Sequence, residues 1–142
     1  METGQRVLVV DDENSIRRYL RAALTAQGLN VYEASDGQEA LNAVLTHRPD
    51  LIILDLGLPD MDGIEVTRRL REWSQTPIII LSVREAEQDK IAALDAGADD
   101  YLTKPFGTGE LLARMRVVMR RQITSANEPI FTTGKLTLDF SH

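Results

Sequence analysis

The stretch DLIILDLGLPDMDG, residues 50–63, joins a short apolar run to a turn rich in Asp and Gly. Four consecutive apolar residues, Leu51–Leu54, are typical of a strand buried on both faces, as in a parallel sheet. Asp55 follows directly, and GLPDMDG then supplies the residues that favour a turn. We assign Asp60 and Asp62 to this turn and to the start of a helix. The stretch predicts a buried strand with a carboxylate at its carboxyl end.

Four more short apolar runs occur along the chain, and amphipathic segments with helical spacing lie between and after them. The five predicted strands are Arg6–Val10, Asn30–Ala34, Leu51–Leu54, Pro77–Leu81 and Tyr101–Thr103. Strand and helix alternate five times, which predicts a parallel sheet with helices on both faces and right-handed crossovers. The expected fold class is therefore α/β, a doubly wound five-stranded parallel sheet with five helices.

Polar and charged side chains stand at the carboxyl ends of four of these strands. They are Asp11 and Asp12 for the first strand, Asp55 for the third, Ser82 for the fourth and Lys104 for the fifth. Ligands of open α/β sheets bind beyond the carboxyl ends of the strands. A strand order of 2-1-3-4-5 would make the four strands neighbours, so that three carboxylates, a hydroxyl and an ammonium group converge.

The converging acids predict a site for a cation and a phosphoryl group. Three carboxylates at close range repel one another unless a cation joins them. Oxygen ligands without His or Cys suit Mg²⁺, which takes one or two carboxylates together with phosphate oxygens. Asp55 is the central acid and the expected nucleophile. Singly, Asp11 and Asp12 also suit a helix cap and Ser82 a local turn, so the prediction depends on the combination.

Composition argues against several other classes of protein. The 142 residues contain no cysteine, which excludes disulfides, thiolate metal sites and cysteine nucleophiles. A net charge of −6 argues against direct contact with nucleic acid. The sequence contains no apolar run of membrane-spanning length and no signal-peptide pattern. We therefore expect a cytoplasmic protein without a membrane partner.

The chain resembles the response-regulator receiver domains of two-component signalling. The segments VLVVDDE, DLIILDLGLPDMDG, IIILS and GADDYLTKPF carry the resemblance, which covers roughly residues 5–121. It implies a flavodoxin-like fold with strand order 2-1-3-4-5, a sensor histidine kinase as partner, and Asp55 as the phosphoacceptor. The expected Mg²⁺ ligands are Asp11, Asp12, Asp55 and the carbonyl of Gly57. The expected switch and phosphate-binding residues are Ser82, Tyr101 and Lys104, with a cis bond before Pro105.

Val83 departs from the pattern of this family. Many receivers have a small residue after the switch hydroxyl, whereas a branched side chain follows Ser82 here. Such a side chain would narrow the access to Asp55, so we expect slow phosphorylation by small donors.

A finer resemblance is to the OmpR/PhoB-type subfamily, whose receivers pair through the fourth helix, fifth strand and fifth helix. It implies a homodimer on activation. The expected ion pairs across the dimer are Lys90 with Glu110, Asp99 with Arg116 and Asp100 with Arg114, around an apolar centre of Ile91, Leu94 and Ala113. A pair within one helix, between Glu110 and Arg114, is the simpler alternative.

We divide the chain into a receiver (5–121), a polar linker (122–134) and the start of another domain (135–142). In the last segment, GKLTLDF alternates apolar and polar residues as a strand does. The subfamily resemblance implies that this strand begins a truncated winged-helix domain, so DNA is expected to bind only through the part that is missing. Within the subfamily, the chain is similar to regulators of potassium-transport operons.

Two other classes of function remain open. A Mg²⁺-dependent phosphatase-like enzyme would need a substrate pocket or cap insertion, and the loops between the predicted elements are too short for one, so we do not expect an enzyme. A phosphorylation-independent interaction module is the alternative. The complete set of acids, with Ser82 and Lys104, argues against it.

Overall fold

The computed structural model of the protein describes residues 1–127, with side chains through residue 121. The strands are β1 (Arg6–Val10), β2 (Asn30–Ala34), β3 (Leu51–Leu54), β4 (Ile78–Ser82) and β5 (Asp100–Thr103). The helices are α1 (Asn14–Thr25), α2 (Gly37–His47), α3 (Gly63–Arg71), α4 (Glu87–Asp95) and α5 (Thr108–Asn127). The strand predicted within residues 135–142 lies outside the described residues.

All five strands form one parallel sheet in the order β2-β1-β3-β4-β5. This confirms the predicted fold class, strand order and number of helices. Three strands have the predicted bounds, but β4 lies one residue further along than expected. Ser82 is its last residue and pairs with Thr103 of β5, so the predicted switch residue belongs to the sheet itself.

The core consists of two layers, one on each face of the sheet. Alternate residues of β1 point into different layers. Val7 and Val9 pack with α1 and α5, whereas Leu8 and Val10 pack with α2, α3 and α4. Because both faces are covered, β1, β3 and β4 are almost completely buried, which explains their continuous apolar sequences. Each such Leu or Ile stabilises the fold by about 1.5–3 kcal/mol relative to an exposed position.

The fifth helix is the longest and extends beyond the predicted end of the receiver. It has 20 residues and ends at Asn127, so residues 122–127, which the sequence analysis places in the linker, are helical. Within residues 1–127, no helix combines the length and the apolar character that crossing a membrane requires.

Candidate functional site

Three carboxylates meet at the carboxyl edge of the sheet. Val10 and Leu54 pair in neighbouring strands, so the residues that follow them leave the sheet side by side. The Asp55 amide donates to the Val10 carbonyl at 2.9 Å, which fixes the start of the β3–α3 loop. One carboxylate oxygen each from Asp11, Asp12 and Asp55 lie within 4.8 Å of one another. The structure thus brings these predicted acids together.

Lys104 brings a positive charge into this group of acids. Its Nζ atom lies 2.8 Å from the Asp11 carboxylate, 3.8 Å from that of Asp55 and 3.9 Å from that of Glu13. The side chain is only 10 % exposed and Asp11 and Asp55 are buried as well, so these three charges interact with little screening by water, whereas Glu13 is exposed. Its amide donates to the Ser82 carbonyl at 2.9 Å. The Lys104–Pro105 peptide bond is cis, as expected.

Asp55 carries a charge that its surroundings only partly compensate. Burial raises the pKa of its carboxyl group above the usual range, and the neighbouring Asp11 charge raises it further. Lys104 and hydrogen bonds from the Gly57 and Leu56 backbone act in the opposite direction. Because burial outweighs these contacts, the ionised form of the carboxyl group is less favourable here than in water. A bound cation would offset this effect.

The three acids fit a hard cation. All of their donor atoms are carboxylate oxygens, the kind that Mg²⁺ prefers, and Asp12 is exposed beside the two buried acids. The Asp11 oxygens already contact Lys104 and the Glu13 amide, which lies 2.9 Å away. Gly57 is exposed as well, and a Cβ there would lie 4.0 Å from an Asp55 oxygen. The exposed backbone of Gly57 therefore lies beside the Asp55 carboxylate.

The two predicted switch residues contact the same loop residue. Ser82 is fully buried, and its Oγ accepts a hydrogen bond from the Arg84 amide at 3.2 Å. The Tyr101 hydroxyl donates to the Arg84 carbonyl at 2.7 Å. Burial raises the pKa of the Tyr101 phenol. Lys90 Nζ lies 5.9 Å from the centre of the Tyr101 ring.

Val83 lines an apolar cleft beside the acids. Its side chain is 68 % exposed, and it shares a cleft of about 400 Å³ with Lys104 and four other residues. The others are Ile16, Tyr19, Pro105 and Phe106. The predicted effect of Val83 on access to Asp55 stays a prediction.

Several of the predicted dimer residues pair within the chain. Arg114 lies 3.2 Å from Asp100 and 3.5 Å from Glu110, so the pair within one helix does form. The Asp99 carboxylate contacts Arg71 at 3.1 Å and the Ile78 amide at 2.8 Å. Sequence spacing could not reveal these partners, because they belong to α3 and β4.

The remaining residues of the predicted dimer face lie along α4 and α5. The side chains of Ile91 and Leu94 are about half exposed, at 51 % and 46 %. Ala113 is intermediate in burial and Arg116 is exposed. Neither Lys90 nor Arg116 forms an ion pair within the described part of the chain. The dimer therefore stays a prediction.

Comparison with known proteins places the described fold among bacterial regulators. Residues 7–116 match the response regulator receiver domain family. The KDP operon transcriptional regulatory protein KdpE of Escherichia coli (strain K12) is 57 % identical over 136 residues, which cover 95 % of this chain and 60 % of that protein. The transcriptional regulatory protein KdpE of Mycobacterium tuberculosis is 52 % identical, with shares of 95 % and 61 %. The chain thus spans about 60 % of these relatives' length.

Solved structures of receiver domains have the same fold. The receiver domain of the Francisella response regulator 1452 superposes with a TM-score of 0.79 at 38 % identity, over 84 % of this chain and 99 % of that one. The BeF3-activated N-terminal receiver domain of Klebsiella pneumoniae RstA gives a TM-score of 0.79 at 31 % identity, over 82 % and 99 %.

Proposed function

The chain belongs to the response-regulator receiver domain family, and we propose that it accepts a phosphoryl group on Asp55 from a sensor histidine kinase with Mg²⁺ as cofactor. One observation carries the proposal: the buried Asp55 carboxylate lies 3.8 Å from Lys104 and within 4.8 Å of two more acids. Burial raises its pKa, so neutralisation by a cation would favour the ionised, nucleophilic form.

Phosphoryl transfer to Asp55 requires the protein to form only one covalent bond. A carboxylate oxygen of Asp55 forms a bond to phosphorus, and the phosphorus–nitrogen bond of a phosphohistidine donor breaks, with the electron pair leaving on nitrogen. Positioning and charge neutralisation then dominate the rate. Bound Mg²⁺ would neutralise phosphoryl oxygens, and its ligands would be Asp11, Asp12, Asp55 and the Gly57 carbonyl. Lys104 is close enough to bind a phosphoryl oxygen of the product.

The switch follows from the hydrogen bonds of Ser82 and Tyr101. The Ser82 hydroxyl accepts from the Arg84 amide, so its own proton is free to be donated to a phosphoryl oxygen. Tyr101 is hydrogen-bonded to the same residue, so its side-chain position depends on the position of the β4–α4 loop. Phosphorylation need only bias an equilibrium between two existing conformations.

The output proposed for the longer protein is control of transcription. Dimerisation through α4, β5 and α5 would let Arg114 and Glu110 exchange their partners within the chain for partners in a second copy. DNA would be contacted only by residues outside the described part. The 57 % identity to a KDP operon regulator supports a potassium-transport operon as the target. The cytoplasm is the compartment where such a protein would meet DNA.

Intact mass spectrometry tests the phosphoacceptor directly. Wild type treated with acetyl phosphate and Mg²⁺ should gain one phosphoryl group, and Asp55→Asn should gain none. Asp60→Asn, five residues along the same loop, is the matched control and should be labelled like wild type. A phosphoryl adduct on Asp55→Asn would refute Asp55 as the site.

Size-exclusion chromatography of the same samples tests the switch. Wild type should shift toward a dimer with beryllofluoride and Mg²⁺, whereas Asp55→Asn should not. If both proteins respond identically, the phosphorylation-independent module is the better account of this chain.

A further inference from the structure

Arg84 contacts both switch residues through its backbone, although nothing in the sequence singles it out. Its amide donates to Ser82 Oγ at 3.2 Å, and its carbonyl accepts from the Tyr101 hydroxyl at 2.7 Å. Ser82 ends β4 and Tyr101 lies in β5, so both partners belong to the sheet. Whatever fixes the backbone of Arg84 therefore fixes how the β4–α4 loop meets both switch side chains.

The Arg84 side chain is held by acids from two helix starts. Its guanidinium lies 2.9 Å from the Asp62 carboxylate and 4.0 Å from that of Asp89. Asp62 is the N-cap of α3, and its other oxygen accepts the Ile64 amide at 2.9 Å. Asp89 lies in the first turn of α4. The ion pair thus connects the β4–α4 loop to the rigid start of a different helix.

Apart from these contacts of Arg84, other restraints on this segment are weak. The residue at the N-cap of α4, Ala86, offers no side-chain hydrogen bond, and Ala93 is the one buried residue of that helix. Val83, between Ser82 and Arg84, is 68 % exposed. Segments with few buried apolar contacts open and shift at low cost in free energy. A single ion pair can therefore shift the balance between positions of this loop.

We propose that Arg84 is a positioning residue of the switch, whose ion pair with Asp62 holds the β4–α4 loop where its carbonyl receives the Tyr101 hydroxyl. The inference rests on the proposed function and concerns the regulation of the same site. The two side chains are 33 % and 42 % exposed, so water weakens their attraction. The expected effect on the ratio of Tyr101 side chains bonded to the Arg84 carbonyl to those in another rotamer is about two- to fivefold.

A double-mutant cycle with Arg84→Gln and Asp62→Asn tests this link. Asparagine is also a good N-cap, so Asp62→Asn removes the ion pair and keeps the start of α3. Three-bond couplings and contacts between the Tyr101 ring and residue 84, measured by NMR, report the rotamer ratio. Each single variant should lower the ratio of Tyr101 side chains bonded to the Arg84 carbonyl to those not bonded two- to fivefold, and the double variant should lower it no further. Additive losses would overturn the proposal.

Two further variants separate positioning from general loss of charge. Arg84→Lys should restore part of the ratio because it keeps one charged donor near Asp62. Arg68→Gln, which removes an exposed pair with Glu65 at 3.5 Å on α3, should leave the ratio unchanged. Raising the salt concentration should move wild type toward Arg84→Gln. An unchanged ratio in Arg84→Gln would refute the role of the side chain.

The binding of beryllofluoride with Mg²⁺ separates this inference from the proposed function. If wild type fails to bind it, the proposed function fails, and the rotamer ratios of the unliganded variants still decide the inference. If wild type binds it and Arg84→Gln keeps the wild-type rotamer ratio, the inference alone fails.

Discussion

Asp55 and Asp60 lie five residues apart between β3 and α3, and the fold treats their carboxylates in opposite ways. Asp55 is buried, and burial raises its pKa. Asp60 is exposed, and hydrogen bonds from the Gly37 and Gln38 amides, at 2.7 and 2.9 Å, lower its pKa. The charge of Asp55 therefore opposes folding, whereas the charge of Asp60 stabilises the loop through hydrogen bonds.

The support from Asp60 reaches a different helix. The first amides of a helix lack partners within the helix. In α2, Asp60 accepts those of Gly37 and Gln38, whereas Asp36 accepts that of Glu39 at 2.8 Å. Two carboxylates thus complement the positive end of the helix dipole. The loop that starts with Asp55 is anchored to α2 five residues later, which holds the backbone next to Asp55 in place.

The largest expected effect concerns two glycines that begin helices, one near each acid. A Cβ at Gly63 would lie 2.5 Å from the Asp55 carbonyl oxygen and 2.8 Å from Leu56 Cα, and backbone cannot move aside cheaply. Gly63→Ala should therefore cost about 1–3 kcal/mol of unfolding free energy, measured with urea. Gly37→Ala should cost less, because its nearest contact is the flexible Met61 side chain at 2.5 Å. Equal losses of unfolding free energy would mean that the surroundings of Gly37 are as rigid as those of Gly63.

Removal of Asp60 should destabilise the fold without stopping phosphorylation. Asp60→Ala leaves the Gly37 and Gln38 amides without their acceptor, so we expect a melting temperature lower by a few degrees. Since folding lowers the pKa of Asp60, its contribution is present above the pKa of the unfolded chain and is lost as the pH falls through the folded pKa. The gap between wild type and variant should close on acidification. Loss of the phosphoryl adduct would contradict this division of roles.

Neutralisation of Asp55 should stabilise the fold, whereas removal of Asp60 should destabilise it. Without Mg²⁺, Asp55→Asn should raise the unfolding free energy by about 1 kcal/mol at neutral pH, because it removes a buried charge that Lys104 only partly compensates. Folding raises the pKa of this carboxyl group, so the penalty of the charge is full above the folded pKa, shrinks as the pH falls below it and is gone below the pKa of the unfolded chain. Thermal unfolding between neutral and acidic pH measures both trends. A destabilised variant at neutral pH would refute this account.

The smallest expected effect tests access to Asp55 rather than its charge. Val83→Ala should speed labelling by acetyl phosphate a few-fold, since a branched side chain at the edge of the cleft is removed. The rate is followed by intact mass over time, with Val117→Ala, an exposed valine on α5, as the control. An unchanged rate would show that Val83 leaves the path open.

The fold and most of the acid site could be predicted because their signals are local. Buried parallel strands have continuous apolar sequences, and the residues after them meet at one edge whatever the loops do. Asp11, Asp55 and Lys104 follow from this rule alone. Asp62 was correctly predicted at the start of a helix, where Asp is favoured.

The contacts that support the site could not be predicted in the same way. Asp60 was assigned to a turn, but its partners lie 22 and 23 residues away in α2. Arg84 pairs with Asp62 across two loops, and Asp99 with Arg71. Such pairs depend on where loops lie in three dimensions, and neither hydrophobic period nor turn propensity carries that information.

The length of α5 has a consequence for anything joined to its end. Its 20 residues extend about 30 Å, whereas the four residues of β5 span about 13 Å. The helix is therefore longer than the strand next to it. A continuous helix fixes both the distance and the direction of its end relative to its start. Insertion of one residue near its end would turn whatever follows by about 100° and advance it by about 1.5 Å, whereas seven inserted residues would nearly restore the original heading. The number of residues in α5 therefore sets the direction in which the chain leaves the helix.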